Sequence, residues 1–333
     1  MFLLLHYFKE HHCKDDSVLS VDMLTVDGKF FGSGDDYYST RFFELVHDTF
    51  WVYRFWINGN MSNYKYQYSV ECQNGCSFWF GLGYNSPDGY VGNKWRIEFN
   101  PNKVFKEYYF LRVYTAFLFL TRPDTLSIRR FDLAIDYPVA RSCCCLRKDQ
   151  RTYCEYTNSL EDRTQNLGTH SNHGYVKLYN KALESNIPTS LTRLELTVDY
   201  LRRSFDDILE IFPKVYVIEN VQMKFDELKL SDTDKFLMFS CLENPYSLNM
   251  LSRYKRKKIE SLIPEYSRLL KIDKKDYNYI LNLLPEFVNY SFVSSFMNSD
   301  DVVTARQFYS GSDDYIHLTA DEVAELNLLF DKS

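Results

Sequence analysis

Trp95-Arg96-Ile97-Glu98-Phe99-Asn100-Pro101-Asn102 switches from one structural period to another within a few residues. From Trp95 to Phe99 apolar and charged residues alternate, which is the period of a strand with one buried face. Asn100-Pro101-Asn102 breaks that period and offers a cap, and residues 103–120 read as a helix. Upstream, residues 49–57 are aromatic and β-branched, and Tyr64, Tyr66, Tyr68 and Val70 alternate with polar residues before an Asn74-Gly75 turn. Residues 77–82 return from that turn as the second arm of a hairpin, which sets Cys72 and Cys76 facing each other. Downstream, residues 128–137, 175–181 and 191–199 read as further strands, and 157–172 reads as a long Asn/Ser/Asp loop. Strands with an interposed helix predict an α+β fold with a curved, largely antiparallel sheet and packed helices.

After Asp199 the period lengthens. Ser204-x-x-Asp207 opens a helix over 205–212 that stops at Pro213. Residues 214–230 hold one more strand at most. Helical patterns cover 233–242, 251–263 and 274–284, residues 298–312 read as a loop, and Thr319-x-x-Glu322 caps a last helix to 330. The expected division is therefore 1–215, followed by a mostly helical region over 216–333, with a soft boundary.

The chain has 333 residues, enough for a large core, and its eight cysteines do not form a disulfide framework, since Cys143, Cys144 and Cys145 are consecutive. Met1 to Leu5 is too short an apolar run for a secretory signal, and no window suits a membrane span. A reduced, cytoplasmic, soluble protein with no membrane partner is expected. The net charge is −6, but residues 251–275 hold nine Lys/Arg against three acids. That window carries +6 and the remainder −12. Its core, Arg253, Lys255, Arg256, Lys257 and Lys258, is the candidate nucleic-acid contact; a solvated helix face is the plain alternative.

Four strands carry charges at two-residue intervals opposite an apolar face: Arg96/Glu98/Asn100, Arg130/Asp132/Asp136, Lys177/Tyr179/Lys181 and Arg193/Glu195/Thr197. Any one of them reads as a face turned to water. Gathered together, they place Glu98, Asp132, Asp136 and Glu195 around one phenol. Such carboxylates suit a hard divalent ion, Mg2+ or Mn2+. Two ammonium groups flanking Tyr179 bias its hydroxyl toward the phenolate, a nucleophile for phosphorus. Tyr175, Trp95 and Tyr137 are candidates for stacking on unpaired bases, with core packing the competing role.

The ordered set RIEFNPNK (96–103), RFDLAID (130–136), KLYNK (177–181) with Glu184, and TRLEL (192–196) resembles the Rep_trans-type plasmid rolling-circle replication initiators, the small staphylococcal plasmid type. Weaker similarity runs from 19–28 to 251–258, so the resemblance covers most of the chain. It implies a metal-dependent nicking-closing enzyme that cuts one strand at a plasmid origin and becomes linked to the 5′ phosphate through Tyr179. It implies metal ligation by Glu98, Asp132, Glu195 and Asp136, and phosphate contacts from Lys181, Arg193 and Arg96. The expected partners are hairpin or melted origin DNA, a host helicase and a second copy of the chain. Nicking and joining are expected within 1–215, DNA recognition and dimerisation within 216–333. The His-hydrophobe-His motif of the other large rolling-circle nickase class is absent, and the overall acidity departs from the initiator pattern. The alternatives are a mobilisation relaxase or replication factor of an integrative element, and a non-catalytic origin-binding regulator with the same fold.

Overall fold

The computed structural model describes residues 11–31, 55–57, 63–72, 75–159, 161–217, 229–243, 247–262 and 267–296. In chain order, strands β1 (His11–His12), β2 (Val18–Lys29), β3 (Phe55–Ile57), β4 (Tyr64–Glu71), β5 (Ser77–Ser86) and β6 (Gly89–Phe99) come first. Helices α1 (Pro101–Val104) and α2 (Tyr108–Phe119) lead to β7 (Ser127–Tyr137), β8 (Cys144–Leu146), β9 (Tyr153–Thr157), β10 (Arg163–Leu167) and β11 (Val176–Asn180). Then come α3 (Lys181–Glu184), β12 (Thr192–Asp199), α4 (Phe205–Ile211) and β13 (Val215–Val217). The last described elements are α5 (Asp232–Glu243), α6 (Ser247–Met250), α7 (Arg253–Leu262), β14 (Arg268–Leu269), α8 (Lys274–Leu283) and α9 (Tyr290–Ser294). The fold is α+β, with antiparallel strand pairing and packed helices.

The chain folds into two compact units, which interleave in sequence. Among the described residues the first comprises those within 21–131 and 281–296; the second comprises those within 11–20 and 132–280. The expected turn residue Asn74, the expected strand before residue 55, the 298–312 loop and the 319–330 helix lie outside the described residues, as does most of 214–230.

In the first unit the strand order is β3-β4-β5-β6-β2. Its core is aromatic because β5 and β6 turn Phe78, Phe80, Trp95 and Phe99 onto α2, which answers with Phe110, Tyr114 and Phe117. Phe99–Tyr114 and Trp95–Phe117 ring centroids lie 5.0 and 4.9 Å apart, offset or edge-on as ring quadrupoles prefer. The Tyr114 hydroxyl donates to the Phe287 carbonyl at 2.7 Å, so the Leu284–Val288 turn is tied to the same helix. The helix expected over 103–120 is two. Asn100 caps α1 by accepting from the Asn102 amide at 3.0 Å, Pro101 takes the first turn, and Glu107 is extended. Breaking there lets Phe105 bury beside Phe99 and Phe110. Trp95 is fully buried, its indole donating to Thr121 at 2.8 Å, so it is not a stacking platform.

In the second unit the order is β7-β12-β11-β10-β9, with a small sheet β14-β13-β8. Part of the expected 157–172 loop is strand β10, and its polar residues Arg163, Gln165 and Asn166 are buried. Arg141, fully buried, explains this: it donates to the Arg163 carbonyl at 3.0 Å, the Cys144 carbonyl at 2.9 Å and Gln165 Oε1 at 2.6 Å. Burial first, and then Arg163 nearby, pulls its guanidinium down to about 10, still charged at neutral pH. Tyr137 is buried as well, which removes the second expected stacking ring. The Ser204–Asp207 capping box forms as expected and starts α4. A separate apolar cluster of Cys145, Tyr216, Met238, Cys241 and Ile259 joins α5 and α7 to the small sheet.

Gly28 faces Trp95 across β2 and β6, and a Cβ there would meet the Trp95 ring at 2.6 Å and the Thr121 methyl at 2.7 Å. Gly28→Ala should lower unfolding stability by about 1–3 kcal/mol through overpacking, read as a lower urea midpoint. An unchanged midpoint would mean that this contact yields freely.

Candidate functional site

The KLYNK segment places its side chains through a strand that ends in a cap. Val176 and Leu178 are buried on one side of β11, and Asn180 stops the strand by accepting the Leu183 amide at 2.9 Å to open α3. Antiparallel register sets Lys177 opposite Glu195 and Tyr179 opposite Arg193, so all four share one face. The Tyr179 hydroxyl donates to Glu195 Oε1 at 2.7 Å, with Glu184 Oε2 at 3.4 Å. Lys181 is ion-paired with Glu184.

The expected bias toward phenolate is overturned. Burial raises the Tyr179 hydroxyl well above the usual phenol value, and the negative charge of Glu195 raises it further; Arg193 opposes this without prevailing. The ammonium of Lys177 stands 4.2 Å from the Tyr179 ring centroid and that of Lys181 6.0 Å away. Both contacts are with the aromatic face, where a cation stabilises the ring and not the oxygen. The phenol therefore holds its proton and presents it to a carboxylate.

Arg193 and Asp136 form a buried bidentate pair, Nε to Oδ1 and Nη2 to Oδ2, both at 2.6 Å. Both oxygens of Asp136 accept from Arg193, so each of these two groups is oriented by the other. Asp132 precedes Asp136 on β7 and is half-buried; its field and that of Glu195 both raise the Tyr175 hydroxyl, behind the leading effect of burial. Tyr175 is half-buried and donates to Asn166 Oδ1 at 3.1 Å, which leaves it the one expected stacking ring within reach of solvent. Among the described residues no trio from Asp132, Asp136, Glu184 and Glu195 brings its oxygens within 4.8 Å of one another. Asp132 and Glu195 are both half-buried carboxylates whose fields reach Tyr175, and carboxylate oxygens are the donor type a hard ion takes.

Arg96 and Glu98 belong to the first unit. Arg96 is held by Asp27, Nε to Oδ1 at 2.6 Å and Nη2 to Oδ2 at 3.0 Å, and Arg129 approaches the same carboxylate at 3.4 Å. Sequence reasoning missed Asp27; its place on an alternating strand, directly opposite Arg96, was the available signal. Glu98 lies 3.7 Å from Arg130 and lines a cavity of about 290 Å³ with Asp22, Ser69, Trp79, Asn100 and Lys103.

The five basic candidates sit on α7, and Ile259 anchors that helix in the apolar cluster. They are not equivalent. Arg256 donates to the Leu248 carbonyl at 2.9 Å and Lys258 pairs with Asp234 at 2.6 Å. Arg253, Lys255 and Lys257 are exposed, with no hydrogen bond or ion pair among the described residues, and Tyr254 beside them is 81% exposed.

No protein-family model matches the sequence, and no curated protein matches it. Among solved structures, a rolling circle replication initiator protein from Geobacillus stearothermophilus aligns over 74% of this chain and 97% of its own, at 13% identity and a TM-score of 0.32. An overlap that loose carries no argument about activity. No helix among the described residues is long and apolar enough to cross a membrane.

Asp136→Asn should leave the Arg193 charge buried and unmatched, which lowers stability by roughly 3–5 kcal/mol. Urea unfolding reads the change, and a loss under 1 kcal/mol would mean that water already solvates the pair.

Proposed function

We propose that the chain is a rolling-circle replication initiator that nicks and rejoins one DNA strand, with Tyr179 as nucleophile. The observation supporting this most directly is the 2.7 Å hydrogen bond from the Tyr179 hydroxyl to Glu195, on a face shared with cations and a second carboxylate. In the proposed reaction the phenol oxygen attacks phosphorus while its proton passes to Glu195. The new O–P bond replaces the bond to the 3′ oxygen, which leaves as a hydroxyl after taking a proton. One phosphodiester is exchanged for one phosphotyrosyl ester, so the 3′ hydroxyl can reverse the step. General-base assistance is needed because a buried phenol does not ionise by itself.

Asp132 and Glu195 would hold a Mg2+ or Mn2+ ion, which when bound supplies charge stabilisation to the phosphoryl oxygens. Asp136 and Arg193 act in this reading as a pair that orients the face. Lys177 and Lys181 cover the ring, and Tyr175 offers a stacking surface for an unpaired base. Arg96 and Glu98, which lie in the first unit, are not used in this reading of the Tyr179 face. On α7, Arg253, Lys255 and Lys257 are the phosphate-contact group, with Arg256 and Lys258 assigned to holding the helix. Origin recognition and dimerisation by the 216–333 region, helicase loading and a cytoplasmic setting belong to the same proposal.

One observation favours a second reading. Tyr179 is only 6% exposed, which suits a binding protein that keeps the fold without cleaving. Incubation with a supercoiled plasmid carrying the DNA around the coding sequence, plus Mg2+ or Mn2+, separates the two. Open circles with covalently attached protein are expected. Tyr179→Phe should abolish the adduct, a rate loss of roughly 10³-fold or more, with DNA binding retained. Glu195→Gln should slow cleavage by about 10²–10⁴-fold. DNA binding without an adduct in the wild type would establish the regulator instead.

Replacing both Arg253 and Lys257 with Ala should lower the slope of log K against log salt by about 1.8 on duplex DNA, and Lys258→Ala should lower it by less. Equal slopes across the three proteins would move DNA contact off α7.

A further inference from the structure

We propose that His11, Cys13 and Asp276 form a zinc site in the second unit, separate from the face that carries Tyr179. Their ligand atoms, one imidazole nitrogen, one sulfur and one carboxylate oxygen, all lie within 4.8 Å of one another. Two elements far apart in sequence supply them, and local structure fixes each. His11 pairs with Leu19 across β1 and β2, and Cys13 follows where the hairpin turns. The turn is tight: the Cys13 amide donates to the Ser17 carbonyl at 2.8 Å, Asp16 takes φ 61°, and Asp15 Oδ1 accepts from the Ser17 hydroxyl at 2.6 Å. Asp276 stands in the first turn of α8, whose next residue, Tyr277, is fully buried and donates its hydroxyl to the Arg203 carbonyl at 2.9 Å. The His11 ring stacks on Tyr279 of the same helix, centroids 4.4 Å apart and planes 22° from parallel.

The donor types select the ion. An imidazole, a thiolate and a carboxylate suit zinc, and a thiolate does not suit magnesium or calcium. Zinc takes such ligands at about 2.0–2.3 Å, which sets tetrahedral donor separations near 3.3–3.8 Å. His11 Nε2 and Asp276 Oδ1 are now 2.7 Å apart and share a hydrogen bond, so they separate slightly as the metal replaces that proton. The thiol approaches by no more than about 1–1.5 Å on the same geometry, and its proton leaves to solvent as the sulfur–zinc bond forms. Three protein ligands leave the fourth position to water. Polar chemistry continues beyond the trio. The Tyr137 hydroxyl is buried with no hydrogen-bond partner among the described residues, and it lies within the field of Cys13 and Asp15. In this role the metal clasps the β1–β2 hairpin to α8.

Cobalt is the probe, because it reports the thiolate directly. The full chain, stripped with EDTA and kept reduced by a phosphine, is titrated with CoCl2. A thiolate-to-cobalt charge-transfer band with intense tetrahedral visible bands should saturate at one ion per chain and bleach on adding ZnCl2. Cys13→Ser should remove the charge-transfer band, and Asp276→Asn, which keeps the thiol, should weaken binding by more than the roughly 10–100-fold that losing an outer-shell partner costs. Circular dichroism verifies that each variant is folded, and either one suffices if the other is not. A wild type with no thiolate band overturns the site. So does a band that persists at full strength in Cys13→Ser, since the chain has seven other cysteines, or an unchanged affinity in Asp276→Asn. None of these readouts involves DNA cleavage, so the outcome is independent of the nicking proposal.

Discussion

The buried pair between Arg193 and Asp136 is the constraint on which the candidate face depends. Two charges taken from water are costly to isolate, and a bidentate geometry at 2.6 Å on both arms is what makes their burial tolerable. It also fixes direction. Side chains alternate along a strand, so holding Arg193 on one face of β12 commits Glu195 to that face. On β7, engaging Asp136 commits Asp132 in the same way. Register then sets Tyr179 opposite Arg193. A slip by one residue would send every one of these groups to the apolar side, so the pair acts as a lock on register.

With the face fixed, the phenol's behaviour follows from its surroundings. Desolvation holds Tyr179 neutral, and the adjacent Glu195 strengthens that preference. Such a phenol is a poor spontaneous nucleophile. The same carboxylate that opposes ionisation at rest is the group within hydrogen-bond reach of the proton, while the ammonium of Lys177 lies over the ring face. A low resting nucleophilicity suits an enzyme whose ester must form only on the right strand. It also suits a protein that has no reaction to perform, which is why the covalent adduct and not the geometry separates the two readings.

Period-two alternation made β6, β7, β11 and β12 legible in the sequence, because each pairs an apolar face with a charged one. Ser204 and Asp207 announced α4 through the chemistry of a helix start. Strand β10 was illegible for the opposite reason: Arg163-Thr164-Gln165-Asn166-Leu167 is polar, and Arg141 makes its burial tolerable from outside the segment. The candidate site divided in the same manner. Which residues share a face could be read from spacing. Their electrostatic partners could not, since Lys177 and Lys181 flank Tyr179 in the chain but stand over its ring, while the group that reaches its oxygen comes from β12. Arg96 was read as free to meet phosphate, and its partner Asp27 lies on a strand far upstream in the chain.

Two proposed cation sites in one chain raise the question of how each keeps its own ion. Raw affinity does not sort them, because zinc outbinds magnesium at most oxygen sites as well. Ligand softness and crowding do. Asp132 and Glu195 offer oxygen alone, and with Asp136 held by Arg193 they offer few of them, so any ion there is completed by water and substrate phosphate and exchanges readily. His11, Cys13 and Asp276 offer nitrogen, sulfur and oxygen from two braced elements, and a thiolate bond gives zinc a preference that magnesium lacks. On the two proposals taken together, scarce zinc would fill the clasp first, and abundant magnesium would be left to the oxygen ligands. In that arrangement the Arg193–Asp136 pair would orient the face, and the thiolate alone would set the two proposed sites apart.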